Sequence, residues 1–259
     1  MTTRKLRIGA LASGGGTNLQ AIIDACERNL IDGEVVFVGA DVPRAGALDR
    51  ARRHRIPVFE VDYAQVFNSL KRDRARMLPA DFQASAILAR THLLPPDLSR
   101  SKKTEFIEKR VAAESQLLKQ MAPYPFDLIV LAGFMRTLSP YFIDKINTDA
   151  DCPRIMNIHP ALLPAFPGTD GYGDTFRYGC KIGGCTVHFI DYGEDTGPII
   201  GQRAFAIDPA DSLEDVKQKG LALEWQLYPE CIQLFAENRL ELKTLENDRK
   251  IIEIIDKSK

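Results

Sequence analysis

The chain has 259 residues, 45% of them apolar, and a formal net charge of −1. That length suits one α/β domain or two small ones, and the apolar content is enough to bury a sizeable core. The near-neutral balance gives no overall pull toward nucleic acid or an acidic membrane surface, and no apolar run approaches the ~18 residues of a membrane span. Met1–Arg7 carries basic residues but leads straight into a short strand-like run. It lacks the apolar core and cleavage site of a signal peptide, so a cytoplasmic enzyme is expected.

Leu6–Ala12 is a short apolar run that ends in Ser13-Gly14-Gly15-Gly16-Thr17-Asn18. Leu19, Ile22, Ile23 and Cys26 then recur at helical spacing, which predicts strand, glycine turn, helix. Glu34–Ala40 predicts a second strand, Ala45–His54 a helix and Pro57–Val61 a third strand. About sixty residues separate Tyr63 from Tyr124, roughly twice what one crossover helix needs. Within them, residues 71–110 hold ten Lys/Arg and five Asp/Glu, a local charge of +5. This is expected to be a solvated helical excursion over the sheet; a basic lid near an anionic substrate and a subunit contact are the other readings. The expected organisation is therefore one domain over 1–259 with a basic insertion at about 64–105.

Asp127–Gly133 is a nearly continuous apolar run, as expected for a central parallel strand covered on both faces. Arg154–Ile158, Cys185–Ile190 and Ile199–Phe205 predict the fifth, sixth and seventh strands. Ser212 with Asp215 forms a variant of the capping box and opens a long helix to about Asn238. The alternation predicts a Rossmann-like, doubly wound α/β fold, with a mostly parallel sheet of about seven strands and flanking helices. The five cysteines are scattered, with no C-x-x-C pair and no zinc spacing, so no metal is expected. Cys180 and Cys185 are read as small buried residues flanking a turn at Gly183-Gly184.

Two motifs carry chemistry. In Asn157-Ile158-His159-Pro160, the amide and the imidazole fall on the same side of an extended segment. Two donors converging on one oxygen are what a tetrahedral oxyanion requires. Asp195, in the loop Tyr192-Gly193-Glu194-Asp195-Thr196-Gly197-Pro198, is placed to orient His159 and favour its protonated form. A plain capped turn before Pro160 is the competing explanation. The second motif is the glycine turn, whose backbone N–H groups and helix N-terminus make a cradle for one phosphate. Its parts are Gly15, Gly16, Thr17 and Asn18. It lacks the third glycine of a dinucleotide fingerprint and the Gly-Lys-Ser/Thr of a Walker loop. Such a turn also serves merely to pack strand on helix. His188, alternating within a strand, reads as a satisfied core histidine.

In order, Leu11–Asp24, Leu128–Pro140, Ile155–Gly168 and Thr186–Gln202, with Glu224-Trp225-Gln226-Leu227-Tyr228-Pro229, resemble the folate-dependent glycinamide ribonucleotide formyltransferases. The resemblance covers nearly the whole chain apart from the basic excursion. It implies that 10-formyltetrahydrofolate, as co-substrate, gives its formyl group to the amine of glycinamide ribonucleotide in purine synthesis. It places the catalytic roles on Asn157, His159 and Asp195 and gives Glu224 a contact with the ribonucleotide. It assigns the pterin pocket to Met135, Arg136, Thr137 and Leu138 together with Asp191, Tyr192, Gly193 and Glu194. Lys103 is the best candidate for a basic residue near the ligands. The partners implied are small molecules only, with no nucleic acid and no membrane, and a homodimer is left open. The run Thr169–Phe176 departs from the family, which usually has histidines there. Competing activities are a formyltetrahydrofolate hydrolase, expected to carry an extra N-terminal domain, and a methionyl-tRNA formyltransferase, expected to carry a C-terminal one. A formyltransferase acting on a related amine is a further alternative, and a non-catalytic nucleotide-binding protein on the same scaffold is a more remote reading.

Overall fold

The structure is a computed structural model that describes residues 4–256. In chain order it runs β1 (Leu6–Ala12), α1 (Thr17–Glu27), β2 (Gly33–Ala40), α2 (Gly46–Arg53), β3 (Val58–Glu60) and α3 (Tyr63–Arg72). There follow α4 (Arg74–Met77), α5 (Ala84–Leu88), α6 (Arg100–Met121), β4 (Leu128–Leu131), α7 (Pro140–Ile146), β5 (Ile155–His159) and α8 (Gly171–Tyr178). The last elements are β6 (Ile182–Phe189), β7 (Ile199–Ala206), α9 (Leu213–Ala236), β8 (Leu240–Thr244) and β9 (Lys250–Ile254).

Seven strands form one sheet in the order β3-β2-β1-β4-β5-β6-β7. The first five are mutually parallel, while β6 and β7 run antiparallel. All four residues of β4 are buried, because helices cover both faces of the sheet. One core cluster joins α1, α2 and α9 to the sheet through Leu19, Ile22, Leu48, Val130, Met156 and Tyr228. The other joins α3, α6 and α7 to its opposite face through Val66, Leu117, Ile129, Phe142 and Ile155. The Tyr228 hydroxyl shares its hydrogen between the Met156 carbonyl at 2.8 Å and the Leu131 carbonyl at 3.2 Å, which ties α9 to the end of β4 and the start of β5. Among the described residues, no helix is long and apolar enough to cross a membrane.

The strand order reverses between β1 and β4. There the loops leaving the two strands diverge, and a crevice opens at the carboxyl ends. The loops are stitched across it: Ser13 N donates to Gly133 O at 2.9 Å, and Met135 N donates to Ser13 Oγ at 2.8 Å.

The predicted capping box at Ser212 and Asp215 is present, with both reciprocal bonds. Gly183 and Gly184, expected in a turn, lie inside β6. A Cβ at Gly184 would run into the Leu162 side chain, so these glycines serve close packing. The β8–β9 hairpin was not anticipated; it pairs antiparallel as a separate two-stranded sheet. The long excursion folds as α3, α4, α5 and the first part of α6. Part of its charge is paired, Arg74 with Glu108, Lys109 with Glu105 and Arg90 with Asp144. Ile87, Ile107 and Val111 form a small core of their own beneath it.

Candidate active site

A cleft of about 440 Å³ lies at the reversal point, and Asn157, His159 and Asp195 line it together. Asn157 and His159 sit on β5, two residues apart as the sequence demanded. Asp195 arrives from the loop after β6 with φ 53°. Its Oδ2 lies 3.3 Å from His159 Nδ1 and accepts a hydrogen bond from Gly168 N at 2.8 Å. The other ring nitrogen of His159, Nε2, is 2.8 Å from the Phe166 carbonyl. A carbonyl only accepts, so Nε2 carries a hydrogen. The imidazole, 2% exposed, is thus fixed between a carbonyl and a carboxylate.

His188 is the satisfied core histidine expected from its place in the strand, and it stands directly behind this cluster. It is fully buried, and its Nδ1 is 2.9 Å from the Phe189 carbonyl, so Nδ1 carries the hydrogen. Its Nε2 is 3.4 Å from Asn157 Nδ2 and 3.7 Å from Asp195 Oδ1. Burial is the largest influence on His188 and pushes its pKa down, with Asp195 opposing. The neutral ring then accepts one amide hydrogen of Asn157 and leaves the second for a ligand. The signal was in the register: β5 and β6 pair antiparallel with Asn157 directly opposite His188. Cross-strand partners share a face.

Glu224 lines the same cleft from α9. Asn18 Nδ2 donates to its Oε2 and the Tyr172 hydroxyl to its Oε1, both at 2.6 Å. Burial raises the pKa of Glu224, and these two hydrogen bonds work against that rise. Tyr172, from the run that departs from the family pattern, is 6% exposed and was not anticipated. A side chain on Gly220 of α9 would overlap its ring, so α9 is relieved at the place where the phenol lies. Asn18 Oδ1 is buried without a partner.

The other expected contacts divide. Met135, Arg136, Thr137, Leu138, Asp191, Gly193 and Glu194 line the cleft. Arg136 is gripped from behind: its Nε donates at 2.5 Å to Asp41, which is 1% exposed. The Arg136 guanidinium also stands 5.3 Å over the Tyr63 ring. Ser139, which closes this loop, donates its N–H and hydroxyl to the fully buried Glu114. Tyr192 does not line the cleft; its hydroxyl donates to Asp144 Oδ1 at 2.7 Å. Lys103 does not reach it either, since its Nζ donates to the Pro96 carbonyl at 2.9 Å on the insertion itself.

Of the glycine turn, Asn18 alone lines the cleft. Thr17 lines a separate cavity between α1 and α9. Gly16 has φ 73°, and a Cβ there would lie 2.8 Å from Ala47 Cα. The packing function weighed for this turn is therefore real at Gly16: it lets α2 approach. Arg50 Nε reinforces the contact by donating to the Gly15 carbonyl at 2.6 Å. Among the described residues, no cluster of three or more His, Cys, Asp or Glu is arranged to hold a metal ion.

Residues 6–232 match the formyl transferase family. The chain is 31% identical over 227 residues to the phosphoribosylglycinamide formyltransferase of Bacillus subtilis, covering 88% of this chain and 93% of that one. It is 32% identical over 237 residues to the Escherichia coli enzyme of the same name, covering 92% and 90%. Among solved structures, glycinamide ribonucleotide transformylase 1 from Symbiobacterium toebii superposes with a TM-score of 0.72 at 35% identity, covering 98% of this chain and 95% of that one.

Proposed function

The chain belongs to the formyl transferase family, and from that premise we propose that its cleft moves the formyl group of 10-formyltetrahydrofolate to the amine of glycinamide ribonucleotide. The observation that carries this reading is the meeting of Asn157, His159 and Asp195 in one cleft. The neutral amine attacks the formyl carbon, and the carbonyl electrons move onto oxygen. Asn157, with one amide hydrogen anchored on His188, offers the other to that oxyanion; protonated His159 offers positive charge beside it. When the carbon–N10 bond breaks, the electron pair goes to N10. The proton lost by the amine ends on N10, relayed with the help of the Asp195 carboxylate while His159 stays protonated. Formylated amine and tetrahydrofolate result, with no net proton gained or lost.

The acceptor end is assigned to Glu224, as an acceptor for ribose hydroxyls, and to the N-terminus of α1 at Gly15–Asn18, as the phosphate cradle. The donor end is assigned to Met135–Leu138 and to the loop Asp191–Asp195. Purified protein with 10-formyltetrahydrofolate, with and without glycinamide ribonucleotide, tests the reading. Acceptor-dependent loss of the formyl group, with matching formylated product, is expected. Equal turnover without acceptor, or none in either case, overturns it.

A further inference from the structure

Arg90 of the basic insertion and Tyr192 of the loop that carries Asp195 are 102 positions apart in sequence, yet the two segments are fastened together at that tyrosine. Tyr192 lies three positions before Asp195, between the cleft-lining residues Asp191 and Gly193. Its side chain and its backbone are both held from the insertion side. His92 N, in the stretch between α5 and α6, donates to the Tyr192 carbonyl at 3.0 Å. Arg90, two residues earlier, hydrogen-bonds the Tyr192 hydroxyl and places its guanidinium 4.6 Å over the Tyr192 ring. The same guanidinium makes a two-point contact with Asp144 of α7, at 2.6 and 2.8 Å. Asp144 Oδ1 also accepts from the Tyr192 hydroxyl.

We propose that the insertion is a clamp on the catalytic loop, in which Arg90 is a positioning residue: acting through Tyr192 and Asp144, it fixes Asp191–Asp195 at the donor end of the cleft. The physical case rests on convergence. One exposed ion pair contributes little, but here a planar fork, a carboxylate, a phenol and a backbone bond share one point. Arginine suits that geometry, because it pairs with a carboxylate at two points while stacking on an aromatic face. The loop has few anchors of its own near that point. Asp191 bonds within the loop, to Gly193 N and the Thr196 hydroxyl, while the anchors from outside lie farther along, on Asp195 from Gly168 N and His159 and on the Thr196 carbonyl from Arg249. Losing the clamp therefore frees the segment that shapes the donor pocket while leaving Glu224 and Asn18 in place. Tyr192 thus serves the donor site without touching its ligand, and the excess positive charge of the insertion has at least one structural use.

This inference takes from the proposed function only the identity of the donor. Arg90→Ala, Arg90→Lys, Tyr192→Phe and the Arg90→Ala/Tyr192→Phe double variant test it in the full chain. Three readouts are compared with wild type: amide hydrogen exchange over residues 191–196, the Kd for tetrahydrofolate, and the KM of each substrate. Arg90→Ala is expected to speed exchange in that segment at least tenfold. It should raise the tetrahydrofolate Kd and the donor KM about fivefold while the acceptor KM moves less than twofold. Arg90→Lys keeps the charge but not the fork, so it should recover only part of the loss. The double variant should be no worse than Arg90→Ala, because both changes open one clamp. Unchanged exchange at 191–196, equal shifts in both KM values, or multiplying losses in the double variant overturns the clamp. Exchange reads the clamp whether or not the protein turns over the donor, so a failed turnover assay refutes the proposed function and leaves this test standing.

Discussion

The two sides of the cleft are built differently. The side formed by β5 and β6 holds Asn157, His159 and His188 on paired strands, where register alone sets which side chains meet. The facing side, Met135–Leu138, is a loop, and residues distant in sequence fasten it: Asp41 behind Arg136 and Glu114 behind Ser139. Strand pairing places a reacting group firmly at the cost of freedom to vary. A loop pinned by buried carboxylates is set by tertiary contacts, and its placement depends on the charge state of groups no ligand touches. Substitutions on the strand side should therefore damage the chemical step, and those on the loop side should change binding and stability.

The largest effect is expected at the carboxylate beside His159. Asp195→Asn keeps the shape but removes the charge beside His159, and kcat should fall on the order of 10²–10³-fold with a much smaller change in either KM. Steady-state kinetics on a variant with wild-type thermal unfolding checks this. A loss that appears only in KM would move Asp195 from the chemistry to binding. His188→Phe removes the acceptor that orients the Asn157 amide, and kcat should fall about tenfold, roughly what one misdirected hydrogen bond is worth. If kcat stays within twofold, His188 fills the core without orienting Asn157. Tyr172→Phe deletes one of the two hydrogen bonds to Glu224. It should raise the acceptor KM about fivefold and leave the donor KM nearly unchanged, on a scale of ~1 kcal/mol for that bond. Equal shifts in both constants would separate Glu224 from acceptor recognition.

The smallest effect on rate, and the clearest on stability, belongs to Glu114. Burial is the dominant influence and pushes its pKa from 4.5 up to about 7, although two Ser139 hydrogen bonds and Arg110 oppose the rise. The native state thus holds a proton that the unfolded chain has already released. Stability contributed here is present below pH 4.5 and is lost as pH rises to about 7, an effect of up to ~3 kcal/mol. Glu114→Gln cannot titrate, so its urea midpoint, followed from pH 5 to 8, should lack the decline seen in wild type. Parallel curves would contradict the assignment.

What the sequence made legible follows the same division. Asn157 and His159 were found through a period of two along a strand, and the start of α9 through the Ser212–Asp215 spacing, because both are local rules. His188 reads correctly as a satisfied core histidine, but its contact with Asn157 lies on another strand and emerges only once the antiparallel register is known. Asp41, Glu114 and Tyr172 carried no local signal: each acquires its role from a residue at least 25 positions away. Lys103 was expected at the ligands because it is basic, but its turn of α6 carries it to Pro96 instead. The β8–β9 hairpin escaped because neither strand buries a residue fully, so Leu240–Thr244 and Lys250–Ile254 lack the apolar run that marks β4.

The central claim is that Asn157 acts on the oxyanion in the transition state rather than on the bound substrates. Single-turnover formyl transfer by Asn157→Ala, with both substrates saturating, tests it most directly. The account predicts that the chemical step slows by roughly 10²–10³-fold while the tetrahydrofolate Kd stays within a few-fold of wild type. A chemical step within a few-fold of wild type in a correctly folded variant would contradict it.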